Sequence, residues 1–146
     1  MKTKLKILKR LFLTETKEDY LNIIVLILRV SVAGLMITHG FPKLSRLLEG
    51  GDIQFADPFG MGTAFSLALV VFAEFFCSIF IGIGLGTRLA TIPPIITMIV
   101  ASFIIHGSDP IGKKELAILY LLVYLTLFII GSRKFSIDYL FTKKVS

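Results

Sequence analysis

VFAEFFCSIFIGIG (Val71–Gly84) decides the architecture of this chain. It is apolar without alternating, whereas a membrane β-barrel strand alternates apolar and polar residues over ~10 positions. The run extends over Ser66–Leu85, and three others accompany it: Leu21–Thr38, Leu89–Ile105 and Leu116–Ile130. Each approaches or reaches the ~17–25 residues that carry a helix through a hydrocarbon core. The chain has 146 residues, 55% of them hydrophobic, and a mean hydropathy of +0.84. Soluble domains lie nearer ~45–50% apolar. The four runs leave no room for a separate soluble domain. The predicted fold is all-α: an integral membrane four-helix bundle, with helices at about 21–40, 63–85, 88–105 and 115–131.

The cations set its orientation. Lys2, Lys4, Lys6, Lys9, Arg10 and Lys17 precede the first run, Arg88 lies in the short turn between the second and third, and Arg133, Lys134, Lys143 and Lys144 follow the last. The other two loops hold Lys43, Arg46, Lys113 and Lys114. The positive-inside rule then places both termini in the cytoplasm, as an even helix count requires, with the inner (plasma) membrane as the location. The net charge of +6 reads as attraction to an anionic leaflet, not to nucleic acid. Residues 1–20 form a basic segment, cytoplasmic or interfacial; Leu5, Leu8, Leu11 and Phe12 recur at helical spacing between lysines, as in a helix lying on lipid. Residues 141–146 form a tail.

Two opposite charges, Arg29 and Glu74, sit deep inside apolar runs. Ionisable groups are expensive in a bilayer and normally face a protein interior with a partner. At a rise of ~1.5 Å per residue each lies ~12 Å from its end of the helix, close to the midplane of a core ~30 Å thick. An Arg29–Glu74 ion pair is the expected arrangement, with Glu115 as the alternative partner of Arg29. Such a pair serves either as a clamp on helix register or as a midplane binding or proton-handling site. A second polar group, His39, Lys43, His106 and Glu115, falls at the outer ends of the helices and is expected to line a vestibule above Glu74. The candidate pocket is therefore Arg29, Glu74, His39, Lys43, His106 and Glu115. Both histidines sit at one edge rather than inside facing helices, which argues against haem, and their spacing matches no metal motif. The single cysteine, Cys77, excludes an intramolecular disulfide relay.

Turn chemistry divides the runs. Arg29, Ala33, Met36, Gly40 and Lys43 share one face of the first helix, and small Ala33 and Gly40 invite close approach by another. Leu44–Thr63 is the longest loop, and its Phe55, Pro58, Phe59 and Met61 are apolar enough to fold back onto the bundle. Gly86 is the expected C-terminal glycine of helix two. Pro93-Pro94 bends helix three, and Glu115 is expected to open helix four, where a carboxylate suits the helix N-terminus.

LRVSVAGLMITHGFPKL (Leu28–Leu44), FADPFGMG (Phe55–Gly62), the stretch from Phe72 to His106, and KELAILYLLVYLTLFIIGSRKFSID (Lys114–Asp138) together resemble the DoxX family of small bacterial membrane proteins. The shared features fall on Arg29, His39, Gly40, Lys43, Glu74, Gly84, Thr87, Arg88 and Glu115, within residues 21–140. One departure stands at the end: where members often carry G-P-G before a basic residue, this chain has Gly131-Ser132-Arg133. The resemblance implies a subunit or accessory of a membrane redox or quinone-associated system. It assigns no reaction, so whether the chain is an enzyme stays open. A structural or assembly partner without chemistry of its own is the alternative, and a small-solute or proton transporter a further one. The residues name no cofactor; a quinone or lipid fits, and haem and metal do not. Expected partners are membrane lipids, a protein of a redox complex and a second copy of the chain.

Overall fold

The computed structural model describes residues 17–143. The basic segment lies almost wholly outside the described residues, as do the last three positions. The described residues are helical, with no strand among them. Four long helices, α1 (Glu18–Glu49), α2 (Thr63–Ile83), α3 (Thr87–Ile105) and α4 (Ile111–Ile130), pack together, and a short α5 (Ile137–Lys143) follows. α1 packs along α2, and α3 packs on both α2 and α4.

The heptad face of α1 supplies the core: Asn22, Val25, Arg29, Val32, Ala33, Met36 and Gly40 are all buried. They meet Ile81 of α2, Met98 of α3 and Tyr124 and Leu127 of α4. The remaining apolar surface faces outward, and Ile27, Phe65, Ile96, Phe103, Leu119 and Ile129 are all exposed. In water this would be untenable; against lipid tails it costs nothing. α1, α2 and α3 are each long and apolar enough to cross a membrane. α4 is 20 residues long but carries Lys113, Lys114 and Glu115 in its first two turns.

Three boundaries differ from the sequence reading. α1 does not end near Gly40 but runs through Pro42 to Glu49. One proline removes one helical bond, and the flanking turns are rich in good helix formers, Lys43, Leu44, Arg46, Leu47 and Leu48. α2 takes its left-handed glycine cap at Gly84 (φ 74°), two residues before the expected Gly86, which instead stands just before α3 at φ 56°. α4 begins at Ile111, directly after Pro110, so Glu115 lies in its second turn rather than opening it.

Candidate functional site

The charges sort into two sites at opposite ends of the packed helices, and the expected Arg29–Glu74 pair does not form. The first site starts from Gly40. A Cβ there would lie 2.9 Å from the backbone carbon of Glu74 and 2.9 Å from the amide nitrogen of Phe75. Only glycine lets α1 sit on the α2 backbone at this point. α2 answers with a single π-helical turn over Phe72–Phe76, in which the Cys77 amide bonds the Phe72 carbonyl. Glu74 lies within that turn and is buried, and such bulges recur at functional sites. Lys43 stands one helical turn beyond Gly40, so its side chain reaches over Glu74, and its Nζ lies 2.5 Å from Oε2. The carboxylate is 6% exposed and the lysine 30%, so Glu74 is buried and Lys43 opens to the space above it.

That space is a cavity of about 340 Å³ between α2 and α3. Lys43, Glu74 and His106 are its charged or titratable lining; the walls are apolar, from Leu69 and Val70 of α2 and Ile96 and Val100 of α3. α3 also makes a π-helical turn, Val100–Ile105, against this cavity, and the His106 amide closes it on the Ala101 carbonyl at 3.0 Å. His106 Nδ1 is 2.8 Å from Asp109 Oδ2; with Nδ1 donating, Nε2 of the neutral ring is an acceptor. The loop at 50–62 folds over the mouth, where Phe55, Pro58, Phe59 and Met61 line it.

Asp57 holds that loop. Its carboxylate accepts from the Met61 amide (2.9 Å), the Gly62 amide (2.8 Å) and the Ser66 hydroxyl (2.8 Å), which pins the loop to the first turn of α2. The Gly62 amide above all, then the Ser66 hydroxyl, holds this carboxyl below its ordinary range. Within FADPFGMG, Asp57 is only weakly marked. The signal was an Asp-Pro a few residues ahead of a helix that lacks any other side-chain cap.

Three of the six expected pocket residues, Lys43, Glu74 and His106, thus share one cavity. His39 does not: it is exposed on α1, edge-on to Tyr120 with ring centroids 6.0 Å apart. Glu115 is exposed and pairs with neither Arg29 nor Lys43.

Arg29 belongs to the second site, at the end where the α2–α3 turn meets the chain after α4. It is 1% exposed, and its guanidinium donates to the Ser132 carbonyl (2.9 Å) and the Phe135 carbonyl (2.5 Å). Gly84 lies against it so closely that a Cβ would strike both the guanidinium and Ser136. Asp138 completes the cluster. Its carboxylate accepts from the Gly86 amide (2.6 Å), the Thr87 amide (3.1 Å) and the Ser132 hydroxyl (2.9 Å), capping the start of α3 from a distant part of the chain. Partial burial pushes its pKa up, but those three donors outweigh it and leave the carboxyl below its ordinary value. Arg29 had been expected to find a carboxylate on another helix. A guanidinium presents five donors in a fork; here two nitrogens meet converging carbonyls, Nε has no partner among the described residues, and Asp138 is the nearby negative charge. The second site therefore ties distant chain segments together through Arg29 and Asp138, whereas the first places an ion pair at the base of an apolar space.

Among the described residues no three His, Cys, Asp or Glu side chains converge as metal ligands. An apolar helical shell around a cavity with an ion pair at its base defines a membrane protein with an amphiphilic pocket. A family model described as DoxX matches residues 24–107, more than half of the chain, and the chain belongs to the DoxX family. The match includes Arg29, His39, Lys43, Glu74 and His106 and ends before α4. No curated protein and no solved structure matches the chain.

Proposed function

We propose that this DoxX protein binds the polar head of a membrane-soluble amphiphile, of quinone or quinol type, in the cavity above Lys43 and Glu74, as an accessory of a membrane redox system. The observation that carries the reading is the ion pair at the base of an otherwise apolar cavity. An ammonium supplies a donor to a ring carbonyl. A carboxylate accepts from the hydroxyl of the reduced ring. The apolar walls accommodate the first part of a tail, and the cavity volume lies at the small end of the ~300–1,000 Å³ of small-molecule sites. All four long helices span the membrane in this reading, α4 with its charged first turns in the outer headgroup region. Both termini then lie on the cytoplasmic side of the inner membrane, as the distribution of cations supports.

The test uses protein purified into lipid nanodiscs. Bound small molecules are extracted and identified by mass spectrometry, and a short-chain quinone is then titrated onto the emptied protein. A stoichiometric redox-active amphiphile, with affinity lost on Lys43→Met, supports the reading. Only bulk phospholipid in the extract, with no saturable quinone binding, overturns it.

A further inference from the structure

The chain at Gly131-Ser132-Arg133 takes an unusual backbone course. Arg133 has φ 56°, alone among the non-glycine residues described. Glycine adopts this conformation freely, whereas a side chain at such a φ costs about 1 kcal/mol. Residues held in sparsely populated conformations cluster at functional sites. Arg133 lines a cleft of about 280 Å³, and its Nη1 is 2.6 Å from Glu18 Oε2. Lys134 stands 3.7 Å from Asp19, and both carboxylates are largely exposed. Asn22 lines the same cleft. It is 3% exposed, and its Nδ2 has no hydrogen-bond partner among the described residues. That nitrogen is itself shielded from solvent, so Asn22 shapes the floor of the cleft.

We propose that this cleft binds the headgroup of a zwitterionic phospholipid bearing a primary ammonium, of the phosphatidylethanolamine type. The phosphodiester accepts from Arg133 and Lys134, and the ammonium donates to Glu18 and Asp19. The balance of charge selects the ligand. Two cations beside two carboxylates oppose a purely anionic head, and a quaternary ammonium has no proton to give the carboxylates. The ion pairs present are solvent-exposed and therefore cheap to open. The site lies at headgroup level. Tyr20, Phe135, Leu140 and Phe141, its neighbours along the chain, all expose large apolar surfaces, as residues anchoring at a membrane interface do.

Nanodiscs of equal parts phosphatidylethanolamine, phosphatidylcholine and phosphatidylglycerol provide the test, read by native mass spectrometry of the lipids retained on the ejected protein. Wild type is expected to retain phosphatidylethanolamine about tenfold over the others, the worth of one charge-assisted hydrogen bond. Arg133→Gly relaxes the backbone, so it keeps the fold, checked by protection of Cys77 from thiol reagents, and retains less of all three lipids, which share the phosphodiester. Glu18→Gln removes the ammonium's acceptor and shifts retention toward phosphatidylglycerol. Equal retention of the three lipids by wild type, wild-type preference for phosphatidylglycerol, an unchanged preference in Glu18→Gln, or unchanged lipid retention in folded Arg133→Gly overturns the proposal.

Discussion

Substituting Gly84 by alanine should destabilise the protein severely, whereas the same change at Gly86 should not. Both glycines have positive φ, 74° and 56°, so alanine costs about 1 kcal/mol of backbone strain at either. They differ in surroundings. Nothing lies within 4 Å of a Cβ at Gly86, but a Cβ at Gly84 would strike the Arg29 guanidinium and come within 2.5 Å of Ser136 Cβ. A free arginine would swing aside. Arg29 is 1% exposed and tied to two carbonyls, and Ser136 Cβ is fixed to the backbone. Displacing the guanidinium forfeits two hydrogen bonds from a charged donor, about 1.5–3 kcal/mol each. The expected loss is therefore about 4 kcal/mol or more for Gly84→Ala against about 1 for Gly86→Ala. The assay is a denaturing-detergent titration of the micelle-solubilised protein. Unfolding is followed by thiol labelling of Cys77, which is 2% exposed in the fold. Equal midpoints for the two variants would refute the reasoning, because they would mean that the Arg29 cluster does not constrain the turn.

Gly40→Ala should cost about 1–3 kcal/mol by forcing α1 off the α2 backbone, while Gly34→Ala, with open space around it, should be neutral or slightly stabilising; the same titration reads both. Asp138 makes stability depend on pH. Its folded pKa is depressed, so its contribution is complete above the ordinary value of 3.8 and is lost as pH falls below that value. Asp138→Asn should flatten this acid limb in detergent-titration midpoints measured down the acid range. Asp57→Ala should release the loop at 50–62, seen as faster hydrogen exchange at Met61 and Gly62 with little change in α3 and α4.

The apolar runs by themselves determined the helical class and the membrane setting. Hydrophobicity over some twenty residues is a property of the segment, and bilayer thickness is a fixed ruler. The face of α1 was legible for the same reason: the heptad spacing of Arg29, Met36, Gly40 and Lys43 sets which residues turn inward, whatever they meet. What they meet was decided only by tertiary structure. Axial depth placed Arg29 and Glu74 at similar levels, but depth says nothing about azimuth or about backbone acceptors. Lys43 reached Glu74 because Gly40 brings the two helices into contact one turn away, at a π-helical turn of α2, and no periodicity encodes an inserted residue. Arg29 met two carbonyls of a segment more than a hundred residues later. Every residue carries a carbonyl, so composition could not mark those two out. Asp57 and Asp138 act through backbone amides for the same reason, and only the folded chain shows which amides they cap.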